Sequence, residues 1–167
     1  TSFSSFMIAG AANVGANAQI DVYGASLEVD ADSIVFGDVT LNGIAQISNG
    51  VTLPWHAKGP TGTGAGWHLS IAATDFVGPD GRIISVAGFK TNLLDADIHT
   101  IYGSQQPASM LTGYTALGAL PQILLRADPG AGMGHYTLLP TFTLSVPAET
   151  FAGQYVSVVT VTIISGP

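Results

Sequence analysis

Apolar and polar residues alternate along much of the chain, which is the pattern of strands that bury one face of a sheet. The alternating stretches are rich in Val, Ile, Thr and aromatic residues, and Gly, Pro, Asn or Asp bounds them. Only at residues 92–103 does a short helical turn compete with a strand. Short strands without intervening helices predict an all-β fold, an immunoglobulin-like antiparallel β-sandwich. The predicted strands are 19–30, 38–48, 66–76, 82–89, 136–147 and 154–165.

The stretch at residues 62–76 could be a phosphate-binding loop or a turn that leads into a strand. Glycine occupies every second position from 62 to 66, but a phosphate loop needs a helix N-terminus after the glycines. Here the glycines lead directly into an alternating apolar run. We therefore predict a tight turn and a buried strand, in which Trp67, Leu69 and Ile71 point to the core.

Charged residues make up only 9% of the sequence, against about 25% in an average soluble protein. With 4 basic and 11 acidic residues, the surface must consist largely of small polar residues and some apolar area. We expect neighbouring molecules to cover part of that area. The alternative is a glycine-rich secreted β protein that its net charge of −7 keeps soluble. The few basic residues argue against nucleic acid and anionic lipid surfaces as partners.

Residues 1–18 differ from the rest of the chain, because they carry no charge and place apolar side chains among Ser, Ala and Gly. We predict an N-terminal extension over residues 1–18 and a sandwich domain over residues 19–167. The extension is a candidate donor strand for the open sheet edge of a neighbouring subunit. A first strand within its own sheet and a free tail are the alternatives. The candidate donor-strand residues are Phe3, Phe6, Met7, Ile8 and Val14.

The sequence also suggests where the protein acts. It contains no cysteine, so its stability depends on the core and the sheet ladders and not on disulfides. No apolar run reaches the roughly 18 residues that span a bilayer. A chain that starts at Thr1, without Met or a basic segment, fits a mature product whose signal peptide has been removed. We therefore expect a secreted, extracellular protein that does not span a membrane.

No pattern in the sequence predicts catalysis or a cofactor. The G-x-S-x-G context of serine hydrolases does not occur, and none of the 4 histidines has another two or four positions away. We therefore predict no enzyme activity and no histidine metal site. Alternating carboxylates remain weak calcium candidates, and a solvated, charge-protected strand edge is their alternative interpretation. These carboxylates are Glu28, Asp30 and Asp32, with a similar pair at Asp95 and Asp97.

Two passages together resemble the WxL-domain family of bacterial surface proteins. In the first passage, a glycine-containing turn precedes Trp-x-Leu, and in the second, residues 147–167 are similar to the family's turn into its last strand and the strand itself. The resemblance covers residues 20–167 and leaves the N-terminal extension outside. The residues of the family motifs, which we expect in the core, are Gly66, Trp67, Leu69, Tyr155, Val161 and Ile163.

The chain departs from the family pattern in two places. The second motif of the family carries Trp and Leu where this chain has Val161 and Ile163, and the turn at residues 58–64 lacks the usual Asp and Arg. The resemblance implies a secreted β-sandwich that attaches non-covalently to the Gram-positive cell wall through peptidoglycan. Trp55 and Trp67 are then candidate carbohydrate contacts.

These observations lead to one functional prediction and one alternative. We predict a non-enzymatic, extracellular structural protein, a β-sandwich subunit that self-assembles through donor-strand exchange into a pilus-like surface filament or a layer. Its partners would be copies of itself, because a strand added head-to-tail to the next subunit propagates as a filament unless the ring closes. The alternative is a carbohydrate-binding module of the cell wall, with peptidoglycan as its partner.

Overall fold

The structure, a computed structural model, describes residues 18–166, and most of its regular elements are short β-strands. Single turns of 3-10 helix occupy Pro79–Gly81, Val86–Gly88 and Asp95–Asp97. The strands are β1 (Glu28–Asp30), β2 (Val35–Phe36), β3 (Gln46–Val51), β4 (Trp55–Lys58), β5 (Trp67–Ala73), β6 (Phe76–Val77), β7 (Ile83–Ile84), β8 (Phe89–Asn92), β9 (Ile98–Gly103), β10 (Ala108–Ser109), β11 (Thr115–Ala116), β12 (Gln122–Ala127), β13 (Gly134–Leu138), β14 (Thr141–Val146) and β15 (Val159–Ser165). The predicted donor-strand residues lie outside the described residues: Phe3, Phe6, Met7, Ile8 and Val14.

One layer of the fold consists of a five-stranded sheet in the order β11-β8-β14-β3-β2 and a four-stranded sheet in the order β9-β13-β4-β1. The two orders correspond, because the chain joins β8 to β9, β14 to β13, β3 to β4 and β2 to β1. The sheets are therefore successive halves of one layer. Pro140 lies between β13 and β14, and Pro54 directly precedes β4. Proline has no N–H to donate to a ladder, so it favours a break at these points.

The second layer is a four-stranded sheet in the order β10-β12-β5-β15. Its central strand β5 pairs with β12 on one side and with β15 on the other, and both pairs are antiparallel. The pairing of β15 runs from Val159 opposite Ala73 to Ser165 opposite Trp67. The short β6–β7 pair follows directly beyond the end of β5.

Large aromatic side chains fill the space between the layers. Trp55, Trp67, Phe89, Tyr136 and Phe142 are all 2% exposed or less. The ring of Trp67 in β5 lies 6.3 Å from that of Tyr136 in β13, so this pair connects the two layers. Aromatic pairs at such distances add about 0.5–1.5 kcal/mol beyond the burial of their area. The packed antiparallel sheets confirm the predicted all-β sandwich.

The first predicted strand is much shorter than the alternation suggested. Of residues 19–30, only Glu28–Asp30 pair as a strand. The backbone N–H of Ala25 donates instead to the carbonyl of Pro60 at 2.8 Å. A Cβ on Gly24 would come within 1.8 Å of the Thr61 carbonyl oxygen, so this part of the chain lies tightly against a loop. The backbone of residues 19–27 therefore pairs with no strand, although the side chains alternate.

Two further predicted strands are also interrupted. In the stretch 38–48, strand pairing begins only at Gln46. The stretch 82–89 is divided by the turn Val86–Gly88, which the Ser85 hydroxyl caps by accepting a hydrogen bond from the N–H of Ala87. A serine that caps a turn competes locally with strand pairing. In residues 92–103, both predicted conformations occur in succession, first the turn Asp95–Asp97 and then β9.

The glycine stretch forms a turn before β5. Gly62, Gly64 and Gly66 have φ angles of +69°, +68° and +74°, in the left-handed region that glycine adopts without steric cost. At Gly66 a Cβ would also meet the carbonyl oxygen of Ala127 at 2.3 Å. A strand and not a helix follows, so the backbone N–H groups of a helix N-terminus are not present for a phosphate.

Candidate functional site

A groove with a volume of about 1050 Å³ opens between the two layers along one edge of the sandwich. Residues 31–41, which include β2, form one wall. The other wall consists of residues 150–157 together with Val159 and Val161 at the start of β15. We call this feature, with these residues as its walls, the edge groove.

The floor of the edge groove is the hydrophobic core itself. Trp55, Phe76 and Phe89 contribute to the floor, and all three are buried. The ring of Phe36 on the wall stands edge-on to Phe76 at 5.9 Å and to Phe89 at 5.6 Å. An occupant of the groove would therefore bury side chains against this aromatic and aliphatic floor, and it would also meet polar wall residues such as Asp32, Asp38 and Gln154.

The β15 wall has the properties of an incompletely covered strand. Its inward-facing side chains Val159, Val161 and Ile163 are only half-buried, whereas Leu69 and Ile71 on the neighbouring β5 are 0% exposed. Within residues 18–166, β15 has β5 on one side and no paired strand on the other. A strand edge of this kind offers unpaired N–H and C=O groups to another strand.

The opposite wall also contains an edge strand whose inward-facing side chains are only partly buried. Strand β2 is the outer strand of its sheet. The side chains of Ile34, Phe36 and Val39 pack against the core but are only partly buried. The two layers thus end at β2 and β15 on either side of the groove, and the described part of the sandwich leaves room for a further strand at this edge.

The loop that precedes β15 is held in place by several contacts. The hydroxyl of Tyr155 donates a hydrogen bond to the carbonyl of Phe151 at 3.0 Å. The Arg82 guanidinium lies 3.3 Å from the centroid of the Phe151 ring, a cation–π contact. Val156 and Val77 exchange backbone hydrogen bonds of 2.8 and 3.0 Å. This rim is therefore preorganised, which lowers the entropic cost of binding.

The first described residues lie at the other end of the sandwich. Ala25 bonds to Pro60, which follows β4 and precedes the first residue of β5. The edge groove lies where β5 ends, because its wall residue Val159 pairs with Ala73. The two ends of the seven-residue β5 are separated by about 20 Å at the rise of an extended strand. Ile20, Val22 and Tyr23 are 83–87% exposed.

A histidine pair lies on the outer face of the β9-β13-β4-β1 sheet. The Nε2 atom of His135 is 3.1 Å from Nδ1 of His56, and the ring of Tyr102 stands edge-on to His135 at 5.5 Å. Desolvation, followed by the charges of His56 and Lys58, lowers the pKa of His135 below its ordinary value of 6.5. A charged imidazolium at His135 is therefore disfavoured, because it would be partly desolvated and would lie close to other positive charge.

Two of the three carboxylates that are calcium candidates make hydrogen bonds to other groups of the chain. The carboxylate of Glu28 accepts a hydrogen bond from the ammonium of Lys58 at 2.9 Å, and this bond is the largest cause that raises the pKa of Lys58. The carboxylate of Asp32 accepts from the N–H of the adjacent Ser33. In the part of the chain that the structure describes, no group of three or more His, Asp and Glu is placed to hold a metal ion. The prediction at Glu28, Asp30 and Asp32 therefore gains no support.

The second acidic pair supports local turns. Asp95 Oδ1 accepts from the backbone N–H of Ser109 at 2.6 Å, and Asp97 Oδ2 accepts from the N–H of Leu94 at 3.2 Å. Both carboxylates thus satisfy backbone donors of the connection between β8 and β9 and of the neighbouring β10. Short acidic side chains commonly serve turns in this way.

Both tryptophans are buried, which argues against the predicted carbohydrate contacts at Trp55 and Trp67. Their exposed fractions are 1% and 2%. The Nε1–H of Trp55 donates to Thr52 Oγ1 at 3.0 Å, and that of Trp67 donates to the Gly132 carbonyl at 2.8 Å. A sugar can stack only on an exposed aromatic face, and neither indole presents one.

The fold brings the two family-motif passages together as neighbouring strands. In the register of β5 and β15, Leu69 lies opposite Ile163, and Ile71 lies opposite Val161. Trp67 is buried at the start of β5 beside the Gly66 turn, and Tyr155 packs partly buried against the core. The motif residues therefore build the inner face of one sheet and one wall of the edge groove.

Two features of the structure could not be read from the alternation pattern alone. The groove wall at residues 31–41 lies largely in irregular chain between predicted strands. The pairing of His56 with His135 depends on the register of β4 and β13, which are 79 residues apart at this contact. The sequence signals only that His56, which directly follows Trp55, faces outward, since neighbouring residues of a strand point to opposite faces.

Comparison with known proteins adds no relative, since no family model, curated protein or solved structure matches this chain. None of the helical turns within residues 18–166 has the length and apolar character needed to cross a membrane. The functional argument therefore depends on the edge groove and on the surface of the sandwich.

Proposed function

We propose that this chain is a non-enzymatic structural subunit that assembles with copies of itself into a filament or layer on a bacterial surface. The observation that carries this proposal is the edge groove between β2 and β15. A sandwich that leaves its core half-covered along one edge is suited to accept a strand from another molecule.

The outer surface of the sandwich supports the same proposal. Val35 and Val51 are cross-strand partners on the outside of the β2–β3 pair, and they are 65% and 70% exposed. Ile47 and Leu53 nearby are 72% and 66% exposed. Exposed apolar patches usually mark contact surfaces. With only 9% charged residues in the chain, apolar packing and backbone hydrogen bonds would dominate the contacts between subunits.

The bacterial location is supported by the resemblance to WxL-domain surface proteins. The resemblance is carried by Gly66, Trp67 and Leu69 and by residues 147–167. It concerns the sandwich and its attachment to the cell surface. The buried tryptophans give less support to the alternative of a peptidoglycan-binding module.

The proposal is tested by examining the purified full chain at neutral pH. Electron microscopy should show filaments or layers, and sedimentation velocity should show species much larger than 17.0 kDa that grow with protein concentration. A chain that remains monomeric at all accessible concentrations would overturn the proposal. Retention of such monomers on purified peptidoglycan would favour the carbohydrate-binding alternative.

A matched pair of variants on β15 connects assembly to the edge groove. Val161→Lys places an ammonium group in the apolar groove, where its desolvation is unfavourable. Thr162→Lys adds the same charge one residue further, where the side chain faces outward and is exposed. We expect Val161→Lys to prevent assembly and Thr162→Lys to leave it intact. Circular dichroism and the melting temperature of the monomers verify that both variants are folded.

A further inference from the structure

We propose that the edge groove binds residues 1–17 of a second copy of this chain, which add a strand beside β15 and join the subunits head-to-tail. This inference rests on the proposed function and deepens it, because it names the segment and the surface through which copies meet. The recognition chemistry is strand addition: backbone hydrogen bonds along the outer edge of β15, and apolar side chains in the groove.

The sequence of residues 1–17 suits an apolar groove. In a strand, alternate side chains point to the same side, and this places Phe6, Ile8 and Val14 on one side, with Gly10 and Ala12 between them. This side of the segment carries only apolar side chains from position 6 to position 14. The segment has no charged side chain, so its insertion would bury no charge in the groove.

The length of the segment also fits. Strand β15 has seven residues and spans about 20 Å at the rise of an extended strand. Residues 1–17, fully extended, reach about 56 Å at 3.3 Å per residue. The segment can therefore cover the groove and still leave several residues to connect one subunit to the next.

The chain leaves the sandwich at the end away from the groove, which suits donation of the segment to a second copy, and the cross-linking experiment below separates this from insertion into the same chain. Ala25, near the start of the described chain, lies beside Pro60 at one end of the sandwich, whereas the groove opens at the end where β5 finishes. The side chains of Ile20 and Val22, which follow the segment closely, are each 83% exposed, so they are not buried in their own sandwich. A donor at one end and an acceptor at the other make a heterologous contact, which repeats into a filament.

Disulfide cross-linking of mixed full-length variants tests this arrangement, and the absence of native cysteine makes it specific. Three variants carry one cysteine in the segment, Phe6→Cys, Met7→Cys or Ile8→Cys. Two others carry one on the groove wall, Val159→Cys or Val161→Cys. A segment variant and a groove variant are unfolded separately, mixed, refolded and oxidised, and non-reducing electrophoresis with mass spectrometry identifies the linked peptides.

We expect disulfide-linked dimers that join Phe6→Cys or Ile8→Cys to the groove variants. Met7→Cys should give at least tenfold less disulfide-linked dimer, since in a strand its side chain points away from the side that carries Phe6 and Ile8. Ile164→Cys is the control on β15, because its side chain is 49% exposed and next to the inward-facing Ile163. It should give no dimer above background with the segment variants.

The outcomes separate this inference from the proposed function. If dimers form equally well with the control, or at none of the segment positions, the donated strand is wrong. If chains carrying both Ile8→Cys and Val161→Cys link only within one molecule, the segment occupies its own groove and the inference is also wrong. In either case, filaments in electron micrographs would leave the proposed function standing, and their absence would overturn it separately.

Discussion

Trp67 contacts both layers of the sandwich, and its replacement measures how much the core depends on one side chain. The indole is 2% exposed, faces Tyr136 and donates a hydrogen bond to the carbonyl of Gly132. Trp67→Ala would leave a cavity and an unpaired carbonyl, and we expect it to lower the free energy of unfolding by about 3–5 kcal/mol. Chemical denaturation followed by the fluorescence of Trp55 measures the loss. The half-exposed Ile164→Ala is the control and should lose about 0.5 kcal/mol.

Two glycines before β5 differ in why they are needed, and alanine substitutions separate the reasons. Both Gly64 and Gly66 have positive φ, but a Cβ on Gly64 meets nothing within 4 Å, whereas on Gly66 it meets the Ala127 oxygen at 2.3 Å. Gly64→Ala should lower the free energy of unfolding by about 1–2 kcal/mol from backbone strain alone. Gly66→Ala should cost clearly more, because the clash adds to the strain. Equal losses in urea denaturation would contradict this difference.

The histidine pair predicts how stability depends on pH. The pKa of His135 in the folded state lies below its ordinary value of 6.5, so the unfolded chain binds more protons as the pH falls through that value. The contribution of His135 to stability is therefore fully present above pH 6.5 and is lost as the pH decreases towards the folded pKa. The groups that face this histidine are His56, Lys58 and Tyr102.

Melting temperatures measured across this range check the prediction. The wild-type chain should melt at lower temperature as the pH decreases below 6.5, and His135→Gln should remove most of that dependence, because glutamine keeps a polar side chain without titrating. His99→Gln is a matched control on the neighbouring β9, where the side chain is exposed. An unchanged pH profile in His135→Gln would show that another group causes the decrease.

At the scale of elements, β15 combines two kinds of edge. Its inner edge is paired with β5 along its whole length, and its outer edge has no paired strand within residues 18–166. Long unpaired edges are normally protected by charges, prolines or bulges. The sequence of β15, Val159–Ser165, contains none of the charged or proline residues that give such protection. The outer edge of β15 therefore has the properties of an edge to which another strand can be added.

Hydrogen exchange can measure whether this edge becomes paired on assembly. Amides that form ladder hydrogen bonds exchange slowly, and those that face solvent exchange quickly. We expect the backbone amides of β15 that point away from β5 to gain at least tenfold protection when monomers assemble. The amides on the outer edge of β9 serve as the internal control and should not change. Full protection of β15 already in the monomer would contradict an open edge.

The sequence predicts strands well where the chain is paired within a sheet and buries one face. It predicts them poorly where an alternating stretch lies against a loop. Along β5, the alternation of Trp67, Leu69 and Ile71 predicts the buried face correctly. The strand is paired on both edges, and these side chains pack between the two layers. Residues 19–27 alternate as well but lie against a loop and form no strand. Alternation reports which side chains avoid water, and it does not report whether a strand is present to complete the ladder.

The edge groove illustrates the same limit for the site. Its walls come from residues 31–41 and 150–161, which meet only after the layers have packed. The donor-strand hypothesis could be made from sequence, because an uncharged apolar segment needs cover. The groove that we propose as its acceptor could not be located from sequence, since its position depends on the strand order β11-β8-β14-β3-β2 and on β15 being the outer strand of the other layer.

At the scale of the whole molecule, a head-to-tail contact makes donor and acceptor independent properties of each subunit. A subunit whose segment is defective can accept a neighbour but cannot donate, and a subunit whose groove is defective can donate but cannot accept. Each kind should therefore end a filament at a different end. A symmetric contact would not behave in this way, because one defective partner would abolish it from both sides.

Mixing experiments with such subunits test the polarity of the assembly. Ile8→Asp places a charge in the donated segment, and Val161→Lys places one in the groove. Added to wild-type monomers in small amounts, either variant should shorten the filaments in inverse proportion to its fraction, as measured in electron micrographs. A mixture of the two variants without wild type should stop at dimers, because the intact groove of Ile8→Asp can receive the intact segment of Val161→Lys and nothing can be added further. Long filaments in that mixture would show that subunits meet through another surface, such as the apolar patch around Val51.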